Sequence, residues 1–287
     1  MTGPVYPAKV LLFGEHTVLR GGKGLAVPYP AFHLRWARAE GADSRLIEFA
    51  RYAKEAQFPL DHARLLSDLE AGLRLPGNIP TGYGLGSSGA VCAAVYDRYG
   101  PPRETQRLRQ LRDRLASLEG FFHGSSSGTD PLVSYLKEPL HLRPGSGPQA
   151  VVLPAGWSAG WFLVDTGVAR DASALIRRFL DAHDREPDAI RQGWRQPADR
   201  AIEALIAGDT IAVYRNLVRV SEFQRARFPT FIPPDFRGRW DGGEAYRLKL
   251  CGAGGGGMIL GLARDRGATT REFGEGIRWL DAPPTGE

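Results

Sequence analysis

Residues 79–90 form the most informative stretch of this sequence, which reads Ile79-Pro80-Thr81-Gly82-Tyr83-Gly84-Leu85-Gly86-Ser87-Ser88-Gly89-Ala90. Its alternating glycines lack the Cβ atoms that would keep a charged ligand away from the backbone. The small apolar residues that follow predict a helix. A glycine loop that leads into a helix directs unpaired N–H groups and the positive end of the helix dipole to one place, which suits a phosphate group. A flexible surface loop with a serine N-cap is the alternative.

This loop differs from the two commonest phosphate-binding loops. It lacks the Lys-Ser/Thr ending of a Walker A loop, and no acidic residue follows at the distance expected for dinucleotide binding. The pattern Pro-x-Gly-x-Gly-Leu-Gly-Ser-Ser-x-Ala resembles instead the ATP-phosphate loop of the GHMP kinases, which include galactokinase, homoserine kinase and mevalonate kinase.

Size and composition narrow the class of protein further. A chain of 287 residues has room for two modest domains. Its 37 basic and 32 acidic residues are interspersed, which favours an anionic small-molecule substrate over a nucleic acid. With only two cysteines, Cys92 and Cys251, we expect a protein of the reducing cytoplasm without a disulfide scaffold. We see neither a signal peptide nor a stretch of about 20 apolar residues that could cross a membrane.

A second motif lies near the N-terminus. Lys9–Phe13 predicts a buried strand that ends at Gly14-Glu15-His16. The segment Pro7–Val18 resembles the first GHMP motif in the form found in mevalonate kinases. Without that resemblance, Lys9 could be a solvated flank of the strand and His16 an ordinary polar residue.

Two helices are predicted around the glycine loop. Asp61–Leu73 has helical spacing with Asp61 as N-cap, and Arg103–Phe122 has a longer apolar stripe. Near the end of the second helix, Glu119 is followed eleven positions later by Asp130. This spacing, with His-Gly and a serine loop between them, resembles mevalonate kinases. Because Pro131 follows, Asp130 also fits a helix N-cap.

The third motif comes late in the chain. A predicted strand at Arg247–Leu250 leads through the four glycines Gly254–Gly257 into a second apolar run. A glycine run of this length is explained by close approach of the backbone to a ligand or to another loop. The motif resembles the third GHMP motif. Between the motifs we predict a strand at Val151–Leu153 and a long loop at Phe228–Gly243.

The three motifs occur in family order, so the resemblance implies the architecture of a GHMP kinase. This is an α+β fold with two domains, one like the second domain of ribosomal protein S5 and one ferredoxin-like. We place the N-terminal, ATP-binding domain at residues 1–155 and the C-terminal domain at residues 156–287.

The resemblance also implies a role for individual residues. The ATP phosphates are expected at Gly82, Gly84, Leu85, Gly86, Ser87, Ser88 and Gly89. Mg²⁺ is expected at Ser88 and Glu119. Asp130 takes the proton of the alcohol, and Lys9 beside it keeps it ionised. The acid substrate is expected at Glu15, His16, Arg170, Gly252 and Ala253. Ala172 stands where the family usually has threonine, which leaves the exact substrate contacts open.

The implied activity is ATP- and Mg²⁺-dependent phosphorylation of the primary hydroxyl of mevalonate. Phosphomevalonate, homoserine or a sugar is the alternative acceptor within the family, and a non-catalytic nucleotide-binding protein is an alternative outside it. A serine hydrolase is formally possible because residues 124–128 match Gly-x-Ser-x-Gly, with Ser126 as nucleophile. That motif requires a preceding strand, whereas the preceding residues predict a helix. Whether the protein is a monomer or a homodimer stays open.

Overall fold

The computed structural model describes residues 3–41, 43–102, 107–124, 126–169 and 172–282. Within these ranges the strands are β1 Val5–Phe13, β2 Gly24–Arg35, β3 Ala37–Arg38, β4 Leu73–Arg74, β5 Leu140–Arg143, β6 Gly147–Ala150, β7 Trp161–Asp165, β8 Tyr246–Leu250, β9 Met258–Ala263 and β10 Ile277–Trp279. The α-helices are α1 Ser44–Glu55, α2 His62–Glu70, α3 Ser87–Tyr99, α4 Leu108–His123, α5 Thr129–Leu136, α6 Ala172–Arg185, α7 Pro187–Ile190, α8 Gln196–Ala207, α9 Thr210–Arg227, α10 Pro234–Arg237 and α11 Arg266–Phe273. A short π-helix at Arg191–Arg195 joins α7 to α8.

The strands form two four-stranded sheets and one small pair. The sheets have the orders β1-β2-β5-β6 and β10-β7-β9-β8, and β3 pairs with β4. β7 pairs antiparallel with both β9 and β10, and β8 pairs antiparallel with β9. The predicted α+β class is confirmed. None of the helices in the described ranges is long and apolar enough to cross a membrane.

Contacts within the chain define two compact units that interleave along the sequence. The first takes the described parts of residues 1–9, 28–81 and 85–138, and the second takes those of residues 10–27, 82–84 and 139–287. The linear division into residues 1–155 and 156–287 stays a prediction.

In the first unit, α3 packs against α4 and α5 through small residues. Its Cys92, Ala93, Ala94 and Val95 are all buried. A Cβ atom built on Gly89 would lie 2.7 Å from the Pro131 nitrogen, so only glycine permits α3 and α5 to approach this closely. The backbone of α5 is thereby held against the first turn of α3.

In the second unit, large aromatic side chains form the core between the sheet and the helices. Trp161, Phe179, Trp194 and Trp240 are fully buried. Aromatic rings contribute more buried apolar area than any other side chain, so they dominate the stability of this unit. Both cysteines are buried, and neither is in a disulfide with another described residue.

Helix ends follow local signals where the structure describes them. Asp61 caps α2, as predicted, by accepting a hydrogen bond from the Arg64 N–H. This helix ends at Glu70 rather than Leu73, because Gly72 adopts φ +82° and turns the chain into β4. The helix predicted at residues 103–122 is observed as α4 from Leu108, and residues 103–106 lie outside the described ranges.

Two predictions between the motifs are wrong. The apolar run Val151–Leu153 is not a strand; β6 lies just before it, and Val152 is 92% exposed. The tract 228–243 is not one long loop, because a 3₁₀ turn at Pro229–Phe231 and the helix α10 bury Phe231 and Phe236. In the second case the burial of these two phenylalanine side chains decides the structure, and the local pattern of Pro, Gly and Arg does not.

Candidate active site

The glycine loop has the backbone conformation that its sequence requires. Gly82, Gly84 and Gly86 have φ values of +82°, +74° and +74°, in the left-handed region that favours glycine. The main chain of the loop is tied to β1, because the Lys9 N–H donates to the Leu85 carbonyl at 2.8 Å. The side chain of Leu85 is buried and anchors the loop.

Helix α3 begins directly after this loop. Its N-cap is Gly86, which makes no side-chain hydrogen bond, so the serine N-cap of the alternative interpretation is wrong. The N–H groups of the first turn have no acceptor within the helix. Together with the helix dipole they form an arrangement that favours a phosphate group at Ser87 and Ser88.

Lys9 and Asp130 form an ion pair in the first unit. The Lys9 Nζ lies 2.9 Å from the Asp130 Oδ1, as the sequence led us to expect. The lysine side chain is nearly buried, whereas that of Asp130 is 31% exposed. The carboxylate is thus held by a cation and still accessible to solvent.

The N-cap interpretation of Asp130 is wrong. Helix α5 begins at Thr129 after the N-cap Gly128, so Asp130 is its second residue and makes no capping hydrogen bond. Gly128 has φ +72°, a conformation that lets the chain enter the helix without a side-chain cap. The carboxylate of Asp130 is therefore not used to cap its own helix.

Asp130 lies directly beside the first turn of α3. A Cβ atom at Gly86 would be 3.2 Å from the Asp130 Oδ2, and one at Gly89 would be 2.8 Å from the Asp130 carbonyl carbon. The absence of a side chain at Gly89 is explained by this packing of α3 on α5, without any contact to a phosphate. The two glycines bring the carboxylate to the helix N-terminus.

Ser88 and Glu119 are brought together, as predicted for a metal site. The Ser88 hydroxyl donates to the Glu119 Oε1 at 2.8 Å, and the Ser126 hydroxyl donates to the other oxygen, Oε2. Glu119 is only 4% exposed. Burial, and secondly the negative charge of Asp130, raise the pKa of Glu119 to about 7.

The donor set at Glu119 fits Mg²⁺. A hydroxyl and a buried carboxylate are hard oxygen ligands, and Mg²⁺ in nucleotide sites takes only one or two carboxylates from the protein. Among the described residues no group of three or more His, Cys, Asp or Glu side chains could hold a metal ion by itself.

His123 and Ser126 complete this cluster, and sequence reasoning did not assign them to it. The His123 Nε2 lies 3.0 Å from the Ser88 Oγ, whose proton goes to Glu119, so the imidazole N–H is the donor. His123 lies four residues after Glu119 on α4, and this spacing places both on one helix face. That spacing is the signal that could have identified it.

The hydrolase alternative finds no support at Ser126. The residues before it belong to helix α4, not to a strand, and its hydroxyl donates to a carboxylate. The neighbouring Ser125 lies outside the described residues.

Glu15, predicted as a substrate ligand, is sealed inside the second unit. Its Oε2 lies 2.9 Å from the Lys249 Nζ, and both side chains are 0% exposed. The Gln224 side chain donates to Glu15 Oε1 at 2.7 Å and accepts from the Leu250 N–H at 3.0 Å. Burial raises the pKa of Glu15, and Lys249 opposes this shift. Direct contact with a substrate is not what this geometry provides, so the sequence-based role of Glu15 needs correction.

Sequence reasoning missed Lys249 and Gln224. A lysine between Leu248 and Leu250 in a buried strand is unusual, because buried charges require a partner. That position signalled a buried ion pair but could not identify its carboxylate.

His16 and Ala253 are brought together as predicted, but through an internal contact. The His16 Nε2 lies 3.0 Å from the Ala253 carbonyl, which can only accept, so this nitrogen carries the proton. The ring stacks on Phe179 with 5.0 Å between centroids. Gly252 next to Ala253 has φ +74°. Arg170, the remaining candidate for the substrate, lies outside the described residues.

The glycine run of the third motif is explained by contact with other loops. A Cβ atom at Gly256 would lie 2.4 Å from the Val168 carbonyl oxygen, and one at Gly257 would lie 2.6 Å from the Tyr83 carbonyl oxygen. The Gly257 N–H donates to Val168 at 2.7 Å. Of the two explanations left open by the sequence, approach to another loop is the one the structure provides.

The chain is similar in sequence and in fold to known kinases. Residues 51–138 match the family model described as GHMP kinases N terminal domain. The chain is 26% identical to a mevalonate kinase of Pyrococcus horikoshii, over 91% of this chain and 88% of the relative. The L. major mevalonate kinase, solved in complex with R-mevalonate, has a TM-score of 0.64 at 17% identity, covering 97% of each chain. The Streptococcus pneumoniae phosphomevalonate kinase, solved with phosphomevalonate and AMPPNP, has a TM-score of 0.68 at 14% identity, covering 98% of each chain.

The described residues have the fold of the GHMP kinases, and residues 51–138 match the N-terminal domain of that family of ATP-using kinases. Over most of its length the chain is similar in sequence to mevalonate kinases such as that of Pyrococcus horikoshii.

Proposed function

We propose that this protein transfers the γ-phosphoryl group of ATP, with Mg²⁺, to the primary hydroxyl of mevalonate. The observation that carries the kinase chemistry is the Lys9–Asp130 ion pair beside the first turn of α3. It combines a partly exposed carboxylate with a helix N-terminus suited to phosphate. The choice of mevalonate as acceptor is supported by the curated relatives.

Asp130 accepts the proton of the attacking hydroxyl in this proposal. Its Oδ1 is engaged by Lys9, so we assign the proton to Oδ2, the oxygen near Gly86. Lys9 pairs with the carboxylate and fixes its orientation. Because the hydroxyl becomes acidic only as the phosphoryl group approaches, orientation contributes as much as basicity.

The first turn of α3 and the glycine loop bind the phosphates through backbone N–H groups. Ser88 and Glu119 would hold Mg²⁺, which supplies neutralisation of phosphate charge when it is bound. Ser126 and His123 orient these two residues by hydrogen bonds. Outer hydrogen-bond partners of this kind contribute to metal affinity without touching the metal.

On the acceptor side, Glu15 acts by positioning. Together with Lys249 and Gln224 it fixes the turn that carries His16. Arg170 remains our candidate for the carboxylate of the acceptor, because a guanidinium pairs well with a carboxylate. We place the enzyme in the cytoplasm, as a monomer or a homodimer.

A coupled assay of ADP release tests this function. Purified protein with ATP and Mg²⁺ is offered mevalonate, phosphomevalonate, homoserine and several sugars separately. We expect turnover with mevalonate. Robust turnover with another acceptor and none with mevalonate would overturn the choice of substrate, while the assignment as a kinase would stand. Absence of acceptor-dependent turnover with all of them would favour a nucleotide-binding protein.

The variants Ser88→Ala and Glu119→Gln test the metal assignment in the same assay. We expect both to weaken Mg²⁺-dependent turnover far more than they lower the thermal midpoint. A parallel loss of stability and activity would indicate packing roles for these residues.

A further inference from the structure

The second unit contains a cavity of about 460 Å³ that no proposed step uses. It lies between the turn at residues 155–160, the start of β7, the first turns of α9 and the end of β9. Its apolar lining comes mainly from Trp157, Trp161, Leu205, Ile211 and Leu262. This volume is within the range of small-molecule sites, roughly 300–1,000 Å³. None of the residues assigned to the candidate active site lines it.

The rim of the cavity exposes apolar surface that a ligand would cover. Ile211 is 78% exposed although it is a branched aliphatic residue, and Trp157 is half-buried. Trp161, in contrast, is almost completely buried. A flat or branched apolar group bound here would remove its own apolar surface and that of the cavity rim from water.

The polar groups of the cavity select the rest of the ligand. The Tyr214 hydroxyl oxygen is buried, and the part of the chain that the structure describes offers it no hydrogen-bond partner. A hydroxyl oxygen that is closed to solvent cannot contact a ligand in the cavity, so the charged side chains of the lining must supply the polar contacts. Two guanidinium groups, those of Arg215 and Arg264, also line the cavity.

The two arginines differ in their surroundings. Arg264 lies over the Tyr214 ring at 5.4 Å and pairs with the exposed Glu244 at 2.9 Å. Arg215 is exposed on α9. The positive charge at the cavity is therefore only partly balanced by the carboxylate of Glu244.

We propose that this cavity is a separate binding site for a small amphipathic organic anion. An aromatic or branched apolar body lies against Trp157, Trp161 and Ile211. The acidic group faces Arg215 and Arg264, which both line the cavity. This site does not depend on the phosphoryl-transfer function proposed above.

Two fluorescent probes with the same body test the charge requirement. These are 8-anilinonaphthalene-1-sulfonate and the neutral N-phenyl-1-naphthylamine, each titrated into the full chain with AMPPNP and Mg²⁺ present to occupy the nucleotide site. We expect the sulfonate to bind one-to-one, more tightly than the neutral probe, with energy transfer from tryptophan. Loss of sulfonate binding on adding AMPPNP and Mg²⁺ would overturn the proposal.

Substitutions locate the bound probe. Ala159→Trp fills the cavity and should weaken both probes at least tenfold. Arg215→Gln should weaken the sulfonate about threefold, as expected for a solvent-exposed charge pair, and leave the neutral probe unchanged. Arg219→Gln is the matched control, because Arg219 lies one turn further along α9 and does not line this cavity. It should change neither affinity.

Ile211→Asp provides a second test if Ala159→Trp does not fold. This exposed position tolerates a polar residue, and the added negative charge should weaken the sulfonate about fivefold and the neutral probe less. Wild-type affinity for the sulfonate in a folded Ala159→Trp or Ile211→Asp protein would overturn the site. Equal effects of Arg215→Gln and Arg219→Gln would overturn the role of the charge.

Discussion

Two lysine–carboxylate pairs of equal length occur in the two units of this protein. Lys9 and Asp130 in the first unit are 2.9 Å apart, and so are Lys249 and Glu15 in the second. Their access to solvent differs. The Asp130 side chain is 31% exposed, whereas Glu15 and Lys249 are both 0% exposed.

The difference separates a chemical role from a structural one. Asp130 keeps one oxygen beside the helix N-terminus, where a substrate hydroxyl could reach it. Glu15 is enclosed by Lys249 and Gln224, and its charge organises the surrounding chain. Equal ion-pair distances therefore do not imply equal functions, because proton transfer requires access and a buried pair excludes it.

Removing the charge of Asp130, the solvent-accessible carboxylate, should produce the largest change in kcat. Asp130→Asn keeps the shape of the side chain and loses its basicity, so we expect kcat to fall by about 10²–10⁴-fold, the usual range for a general base. The thermal midpoint should change little, because Asp130 does not cap α5. Steady-state kinetics and thermal unfolding measure both quantities.

Lys9→Met should produce a similar loss, and the double variant should be far from multiplicative if the two residues act as a unit. Asp113→Asn on the surface of α4 is the control and should keep full turnover. An Asp130→Asn protein with near wild-type turnover would remove Asp130 from the mechanism.

Breaking the buried ion pair of Lys249 and Glu15 should lower the stability of the protein instead. Lys249→Met leaves the Glu15 carboxylate buried without its cation, and loss of one partner of a buried pair typically costs about 3–5 kcal/mol. Denaturant unfolding measures the loss. The double variant Lys249→Met/Glu15→Gln lacks both charges and should recover much of the lost stability. A stable Lys249→Met protein would show that the pair contributes little.

Glu119 should make the ligand-free protein less stable as the pH rises. Its pKa is about 7 in the folded state and near 4.5 without the fold, so between these values the folded state holds a proton that the unfolded state has released. Stability then falls with increasing pH, by up to about 3 kcal/mol at 1.36 kcal/mol per pKa unit. Urea unfolding at pH 5 and pH 8 measures this fall.

Glu119→Gln is the comparison for that measurement. Other buried carboxylates, such as Glu15, contribute equally to the pH dependence of stability in both proteins. The difference between wild type and variant therefore measures the contribution of Glu119. We expect a clearly smaller fall with pH in the variant. Equal falls would mean that Glu119 titrates near its ordinary pKa.

Gly89→Ala should have a smaller effect on stability and on turnover. It tests whether the close packing of α3 on α5 holds Asp130 in place. Its Cβ atom would lie 2.7 Å from the Pro131 nitrogen, so α3 and α5 must move apart. We expect a loss of about 1–3 kcal/mol, as for other overpacked sites, together with lower turnover because Asp130 moves. Chemical denaturation and the kinase assay measure the two effects.

Gly120→Ala on α4 is the matched control, because its Cβ atom would meet only the Tyr52 hydroxyl at an ordinary 3.8 Å. Alanine favours a helix interior, so this variant should be stabilised by up to about 1 kcal/mol. If Gly89→Ala behaved in the same way, the close packing of α3 on α5 would not be needed.

Local features of this protein were determined by the sequence alone. The alternating glycines before an apolar stretch predicted the loop and helix α3, and Asp61 predicted the cap of α2. Each depends on backbone conformation or on residues three or four positions apart, which a linear pattern contains. The resemblance to GHMP kinases paired Lys9 with Asp130 and Ser88 with Glu119, and the structure brings both pairs together.

The tertiary structure decided which charged residues are exposed to solvent and which are buried. Nothing in the sequence near Glu15 indicates that Gln224, 209 positions away, completes its hydrogen bonds. Nor does the Asp-Pro pair show that α5 begins at Thr129, two residues before the start that an Asp130 N-cap would give. Burial and the pairing of distant residues are properties of the packed chain, and the exposure of a carboxylate exists only after packing has taken place.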